Sequence, residues 1–235
     1  MAVISLSLNA DYYMAEVKPY QTHTVEAEVS GIVKNIALNQ EFSFISKSSL
    51  IVEVDTENED IQIQALTKKI DAIKEVLSLK RENLRSKSRV RQISKYELNS
   101  ETLSVVDTKI SLISTEMELK LQKVKREKKL FYLSKSYLGK IYVDEFEYVN
   151  FGERLFEYYD FFKSRLDLFV TADEVVDIRD KSIFLNGKKS KGWKIEKVSQ
   201  IKDSRRVSTY QVRLIHKNRD PRKAKFGEIY KVEFR

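Results

Sequence analysis

Residue types that commonly carry out catalysis are few in this sequence, and they do not occur at the spacings that catalytic sites require. The chain of 235 residues has two histidines, His23 and His216, and no cysteine. Each histidine stands alone in an alternating, strand-like pattern, without a nucleophile or metal ligand at a characteristic spacing. There is also no glycine-rich phosphate loop and no nucleophile elbow. We therefore predict that the protein is not an enzyme and has no cofactor or metal site.

The residues best suited to recognition lie in one basic stretch, KRENLRSKSRVRQISK, residues 80–95. This stretch holds seven Lys or Arg and one acidic residue. Such a cluster can dock on an acidic partner, although charged turns are commonly just solvated. Ser94 has a second interpretation, because Glu97 follows three residues later and the two would form a capping box at a helix start. The residues alone leave both interpretations open.

Two long helices flank this stretch. The segment between Lys47 and Leu138 has no Pro or Gly, and its apolar residues recur at spacings of three and four. This predicts an antiparallel coiled-coil hairpin over residues 56–134, with its turn near 88–94 and capping boxes at Thr56 and Ser94. The expected seam consists of Ile63, Leu66, Ile70, Ile73, Leu77 and Leu84 with Lys80 in the first helix, and Leu103, Val106, Ile110, Ile113, Met117, Lys120, Val124, Glu127 and Phe131 in the second.

Three leucines of the second helix, Leu112, Leu119 and Leu121, lie outside this seam. They either broaden the apolar stripe or contact the base domain, or they pack laterally against a second hairpin. Lys80 occupies a seam position, and we expect its charge to reach outward to solvent.

An internal repeat flanks the hairpin. Residues 30–55 and 138–160 both read as glycine, strand, turn and a leucine-led strand, so that Gly31 aligns with Gly139 and Asp55 with Asp160. Gly152 is a third glycine of this repeat. An antiparallel hairpin returns the chain to its starting point, so the two copies should lie side by side. We expect the backbone that approaches Gly31 to be that of the second copy, near Gly139.

This order of parts resembles the membrane fusion proteins, or periplasmic adaptors of the HlyD type. The resemblance rests on VEAEVSGIV and LIVEVD in the first copy, and on LGKIYV and VNFGERLFEYYD in the second. It implies an α+β fold: a split lipoyl-like β-sandwich, interrupted by a long helical hairpin and followed by a small antiparallel β-barrel. The halves of the sandwich would be residues 11–55 and 135–162 and the barrel residues 163–235, with the membrane-proximal domain absent or reduced.

The resemblance also implies a function. The protein would be the periplasmic adaptor of a tripartite efflux or secretion system, associated with the inner membrane. It would link an inner-membrane transporter of the RND or ABC type to a TolC-like outer-membrane channel and assemble as a hexamer. The hairpin tip would dock on the channel, and Leu84, Arg85 and Ser94 are the candidate docking residues. Cofactor attachment is not expected, because Lys47 lacks the sequence context of a lipoylated lysine.

Charge keeps an alternative open. The net charge is +8, and residues 181–235 carry 17 Lys or Arg against five Asp or Glu. A basic C-terminal module suggests an anionic neighbour, such as a transporter or a membrane surface. Nucleic acid is not expected, because no recognition motif is present. The rival hypothesis is therefore a non-enzymatic coiled-coil scaffold that binds an anionic surface.

The first ten residues, MAVISLSLNA, resemble the apolar part of a secretory signal peptide that ends in a small residue. We interpret residues 1–10 as the remnant of such a signal. A disordered or strand-forming N-terminus is an equally good interpretation.

Overall fold

A computed structural model describes residues 12–90, 92–204, 206 and 209–235. The predicted signal remnant, residues 1–10, lies outside this part of the chain. The described elements, in chain order, are β1 (Tyr12–Glu16), β2 (Lys18–Pro19), β3 (Thr22–Glu26), β4 (Gly31–Ile36), β5 (Phe44–Ile45), β6 (Ser49–Val54), α1 (Glu57–Ser88), α2 (Lys95–Glu127), β7 (Leu130–Leu133), β8 (Ser136–Ile141), β9 (Tyr148–Val149), β10 (Arg154–Tyr159), β11 (Lys163–Thr171), α3 (Ala172–Val175), β12 (Ile183–Leu185), β13 (Lys188–Lys189), β14 (Trp193–Lys202), β15 (Thr209–Lys217) and β16 (Ile229–Phe234).

The first β-module is built by strands from both sides of the hairpin. Its two antiparallel sheets have the strand orders β3-β10-β8-β5 and β7-β6-β4-β9. Each sheet therefore takes two strands that precede the hairpin and two that follow it. Exchanging the two copies, β3–β6 for β7–β10, converts one sheet into the other. One apolar core, with Val33, Ile51, Leu138 and Phe156 among its buried residues, fills the space between the sheets. The split, lipoyl-like sandwich is thus confirmed.

The register of the repeat differs from the predicted one. Gly31 pairs with Val149 of β9, whereas the corresponding pair in the other sheet joins Ser136 to Ile45. Ser136 is therefore the structural equivalent of Gly31, and the alignment with Gly139 was wrong by three residues. β-bulges in the ladders of β4 and β10 interrupt the regular pairing, and such shifts cannot be read from a sequence alignment.

A core side chain packs against Gly31 and leaves no room for a larger residue at this position. A Cβ atom on Gly31 would lie 2.6 Å from Cγ1 of Val54, which is completely buried. The backbone beside it does belong to the second copy, as expected, but at Val149 rather than near Gly139. Gly152 has a different role: its φ of +81° places it in a tight turn, where its amide donates to the carbonyl of Ala27.

The second β-module is also assembled from distant parts of the chain. Its antiparallel sheets, β1-β16-β12-β13 and β14-β15-β11-β2, enclose one core that includes Ala15, Val17, Leu168 and Val212. Residues 12–19 therefore pack with the barrel, which corrects their assignment to the first half of the sandwich. Their partners β16 and β11 lie far along the chain, so no local pattern could reveal the pairing.

The hairpin consists of α1 and α2, joined by residues 89–94. The second helix ends at Glu127, and Phe131, predicted to be in its seam, lies buried in β7. The hairpin is therefore shorter than the predicted 56–134, because residues 130–133 pair with β6 to close the sandwich. No helix in the described ranges has the length and apolar character required to cross a membrane.

The contact at Gly31 makes a testable prediction. Gly31→Ala should lower the free energy of unfolding by about 1–3 kcal/mol, because the new methyl group must displace buried Val54. Ser136→Ala, at the equivalent place in the other sheet, is the control and should change stability little. The measurement is urea unfolding followed by circular dichroism. If Gly31→Ala unfolds like the wild type, or if it costs as much in a Val54→Ala background as in the wild type, the packing explanation is wrong.

Candidate functional site

The inner face of α1 is the predicted one. Leu66, Ile70 and Leu77 are buried, and the remaining seam residues of α1 are half-buried against α2. These residues recur at spacings of three and four along one face of the helix. The spacing of the larger apolar residues of α1 is therefore sufficient to predict its inner face.

The inner face of α2 is not the predicted one. The residues that face α1 are Leu98, Val105, Leu112 and Leu119 at one heptad position, and Glu101, Thr108, Thr115 and Gln122 at the other. Leu112 and Leu119, which seemed to lie off the seam, are thus part of it. The predicted seam residues from Leu103 to Val124 lie on the outside of the hairpin instead.

Polar contacts between the helices explain this choice of face. Lys80 Nζ donates to Thr108 Oγ1 at 2.8 Å, so this lysine crosses to α2 rather than reaching outward. Nearer the tip, Lys87 forms an ion pair with Glu101. Polar residues at seam positions specify the register of a coiled coil, because any other alignment leaves them unpaired. The half-polar face of α2 therefore matches the lysines of α1.

Ion pairs also fix the base of the hairpin. Arg126 Nε lies 2.6 Å from Asp60 Oδ1, and Lys129 Nζ lies 2.6 Å from Glu59 Oε2. The hydrogen bond from Arg126, followed by that from Thr56, holds the pKa of Asp60 below its ordinary value. Because Glu59 pairs with Lys129, it is not available to cap α1. The predicted capping box at Thr56 is absent, and the Thr56 hydroxyl donates to Asp60 instead.

At the tip, Ser94 begins α2 as a complete capping box. Its Oγ accepts a hydrogen bond from the amide of Glu97, and its own amide donates to the Glu97 carboxylate, each at 3.2 Å. The capping interpretation of Ser94 is thus confirmed. Leu84 is a half-buried seam residue, whereas the side chain of Arg85 is exposed on α1. Their role in docking stays a prediction.

Two apolar residues at the tip were missed by the sequence analysis. Tyr96 is 83% exposed and Val90 is 57% exposed, beside a surface that is otherwise basic. The signal was present in the sequence, since both residues interrupt a run of charged and polar residues. Exposed aromatic side chains of this kind are common anchors of protein–protein interfaces.

The outer surface of the hairpin carries two apolar stripes. The α2 stripe, 41–63% exposed, consists of Leu103, Val106, Ile110, Ile113, Met117 and Val124. The α1 stripe is narrower and contains smaller residues: Ile61, Ala65, Ala72, Val76 and Leu79. Most residues of both stripes would normally be covered, since continuous exposed apolar surface of this length usually marks an interaction site.

The stripes face opposite ways. Residues of the α1 stripe come one or two positions before seam residues, as Ala72 precedes Ile73. Ala72 and Val76 line a groove that also contains Asp107 and Ser111 of α2. Residues of the α2 stripe come one or two positions after seam residues, and Ile113 lines the groove on the other side of the hairpin. Each residue advances a helix by about 100°, so the α2 stripe points away from the α1 stripe.

Each of the two histidines stacks on a neighbouring aromatic ring. His23 stacks on Tyr158 with ring centroids 4.8 Å apart, and His216 stacks on Trp193 at 5.5 Å. Within the described ranges, no three His, Asp or Glu residues are placed to hold a metal ion. The absence of enzymatic activity stays a prediction.

Comparisons with known proteins identify the fold. No protein-family model and no curated protein matches the sequence. Among solved structures, the membrane fusion protein Spr0693 from Streptococcus pneumoniae R6 matches with a TM-score of 0.71 and 8% identity, over 96% of this chain and 99% of that one. MacA from Actinobacillus actinomycetemcomitans matches with a TM-score of 0.67 and 14% identity, over 95% and 77%.

A third structure, a MacA–MexA chimera that contains the α-hairpin domain of Pseudomonas aeruginosa MexA, matches with a TM-score of 0.66 and 14% identity, over 95% of this chain and 80% of that chain. The chain therefore has the fold of the membrane fusion proteins, which confirms the fold that the sequence resemblance implied.

The capping role of Ser94 can be separated from any role in docking. Ser94→Ala should speed hydrogen exchange of the first-turn amides of α2 about fivefold, which corresponds to the ~1 kcal/mol that an N-cap contributes. Ser94→Asp should retain wild-type exchange, because Asp is an equally good cap, and Ser100→Ala within α2 is the control. If Ser94→Asp exchanges as fast as Ser94→Ala, the capping role is wrong.

Proposed function

We propose that the protein is a periplasmic adaptor, associated with the inner membrane, in a tripartite efflux or secretion system. It would connect an inner-membrane transporter of the RND or ABC type to a TolC-like outer-membrane channel. The action is geometric and needs no catalysis: β-modules pack side by side, and the hairpins project together as a tube that meets the channel. The fold, shared with a membrane fusion protein and with MacA, supports this assignment.

The observation that carries the proposal is the pair of oppositely directed apolar stripes on the hairpin. A surface on one side of a molecule that fits a different surface on its other side produces head-to-tail association, which forms a ring when the rotation between copies closes. Large residues of the α2 stripe, such as Met117, complement small residues of the α1 stripe, such as Ala72. Lys74 of α1 and Glu116 of α2 form an ion pair, so Ala72 and Met117 lie at similar heights along the hairpin.

Neighbouring copies at equal height would therefore bring Met117 of one hairpin against Ala72 of the next. Such a ring, which we take to contain six copies, leaves the tips together at one end. There Arg85, Tyr96 and Val90 would present a basic rim with apolar anchors to the channel. Leu84 and Ser94 would support this surface from within, through the seam and the helix cap.

The absence of cysteine makes the ring directly testable by cross-linking. A chain that carries both Ala72→Cys and Met117→Cys, produced in cells together with its neighbouring envelope proteins, should give a ladder of covalent species up to six copies with a short bis-maleimide. Each single variant should give no ladder, because its thiol faces a residue without a thiol on the neighbouring copy.

The matched control carries Asp71→Cys and Glu118→Cys, which are exposed at similar heights but lie outside both stripes. It should give no ladder. A ladder from the control and none from the stripe pair would contradict side-by-side packing through these stripes.

The tip should contact the channel in the assembled system. A photo-cross-linking residue, p-benzoylphenylalanine, in place of Tyr96 should capture an outer-membrane channel protein in intact cells, identified by mass spectrometry. The same residue in place of Lys68, exposed on the shaft of α1, should not. Capture of only a second copy of the chain, or of an inner-membrane protein, would show that the tip points elsewhere.

A further inference from the structure

A small cleft in the barrel module is lined by positive charge. It has a volume of about 330 Å³ and lies where the α3–β12 connection and the β13–β14 turn meet. Its lining contains four cationic side chains, one indole and two hydroxyl groups, but no carboxylate: Arg179, Lys181, Lys189, Lys194, Trp193, Ser182 and Ser190, with Ile183 and Ile195. The cleft lies in the basic C-terminal part of the chain and is separate from the hairpin.

The four cations have no counter-charge of their own. Elsewhere on the barrel, arginines and lysines are neutralised in pairs, such as Arg213 with Asp167 and Lys231 with Glu233. Within the described residues, none of the four cationic side chains of the cleft forms an ion pair or a side-chain hydrogen bond. Like charges repel when they share one concave site, and a bound anion relieves that repulsion.

Two of the remaining lining residues, Ser190 and Trp193, are held in place by neighbouring groups. Ser190 Oγ accepts from the amide of Trp193 at 3.4 Å, so its own hydroxyl proton is free to point into the cleft. The amide of Ser190 donates to the carbonyl of Ile183 at 2.8 Å and fixes this residue between the two strands. Trp193 is held by stacking on His216 and forms one wall.

We propose that this cleft binds a phosphate group. Three ammonium groups and one guanidinium group with two serine hydroxyls, and without any acceptor-only carboxylate, match the oxygens of a phosphate mono- or diester. The phosphate is supplied either by the head group of an anionic lipid or by a free phosphate compound. The site would give the basic barrel a defined ligand, in addition to the hairpin contacts of the proposed adaptor.

The chain carries its own reporter for this site, because Trp193 is the only tryptophan. Its emission should change and saturate during titration of the full chain at constant ionic strength, with inorganic phosphate or with phosphatidylcholine vesicles that contain phosphatidylglycerol. If the emission change saturates with inorganic phosphate in the absence of vesicles, the ligand is a free phosphate compound. Saturation only with the anionic vesicles assigns a lipid head group.

Charge-matched variants separate a site from diffuse attraction. Lys189→Gln with Lys194→Gln should weaken the apparent affinity about tenfold, since two charges that contact the ligand are removed. Lys202→Gln with Lys217→Gln removes the same charge from exposed positions outside the cleft and should change the affinity less than twofold. No saturable change with either probe, or an equal loss in both double variants, would overturn the proposal.

Discussion

The pairing of β6 with β7 is the constraint on which the rest of the molecule depends. Two residues separate β6 from α1, and two residues separate α2 from β7. The two strands are hydrogen-bonded neighbours through Val52 and Phe131. The amide of Val54 donates to the carbonyl of Lys129 at the point where the helices leave the sheet. Adjacent strands lie about 4.8 Å apart, so the two ends of the helical excursion are held together. Antiparallel helices are the outcome of that closure, and the ion pairs of Arg126 and Lys129 reinforce it at the base.

A second consequence concerns the faces of α2. This helix has one half-polar face and one largely apolar face, and the half-polar face is turned inward. Burial of the more apolar face would be expected from hydrophobicity alone. Contacts with α1 favour the half-polar face instead. Lys80 and Lys87 of α1 can pair with Thr108 and Glu101 only when this face is turned inward. The apolar face of α2 is thereby left for another molecule, which is the physical basis for association of hairpins in the proposed adaptor.

Much of the fold followed from the sequence, and the failures have specific causes. The inner face of α1 and the capping box of Ser94 were predictable because they depend on local spacing. The Asn186–Gly187 turn between β12 and β13 also depends on local sequence, because both of its residues adopt positive φ, which Asn and Gly tolerate. The inner face of α2 was not predictable. This helix has apolar residues on both its inner and its outer face, and periodicity cannot tell which face meets α1.

Non-local pairing accounts for the other errors. Glu59 was expected to cap α1, but its partner Lys129 lies 70 residues away. β1 was assigned to the wrong module because it pairs with β16 at the other end of the chain. For the candidate site, the sequence identified the basic tip and Arg85 as a surface residue, whereas Tyr96 was overlooked although it interrupts a run of charged and polar residues at the start of α2.

Native-state hydrogen exchange of β6 and β7 is the most direct test of the central claim, that the chain leaves one β-module and returns to complete it. If the claim is right, the amides of Ile51 and Val54 and those of Phe131 and Leu133 open with the same free energy and the same denaturant dependence, as members of one cooperative unit. If the strands before and after the hairpin open with different free energies and different denaturant dependences, they belong to separate bodies and the account is contradicted.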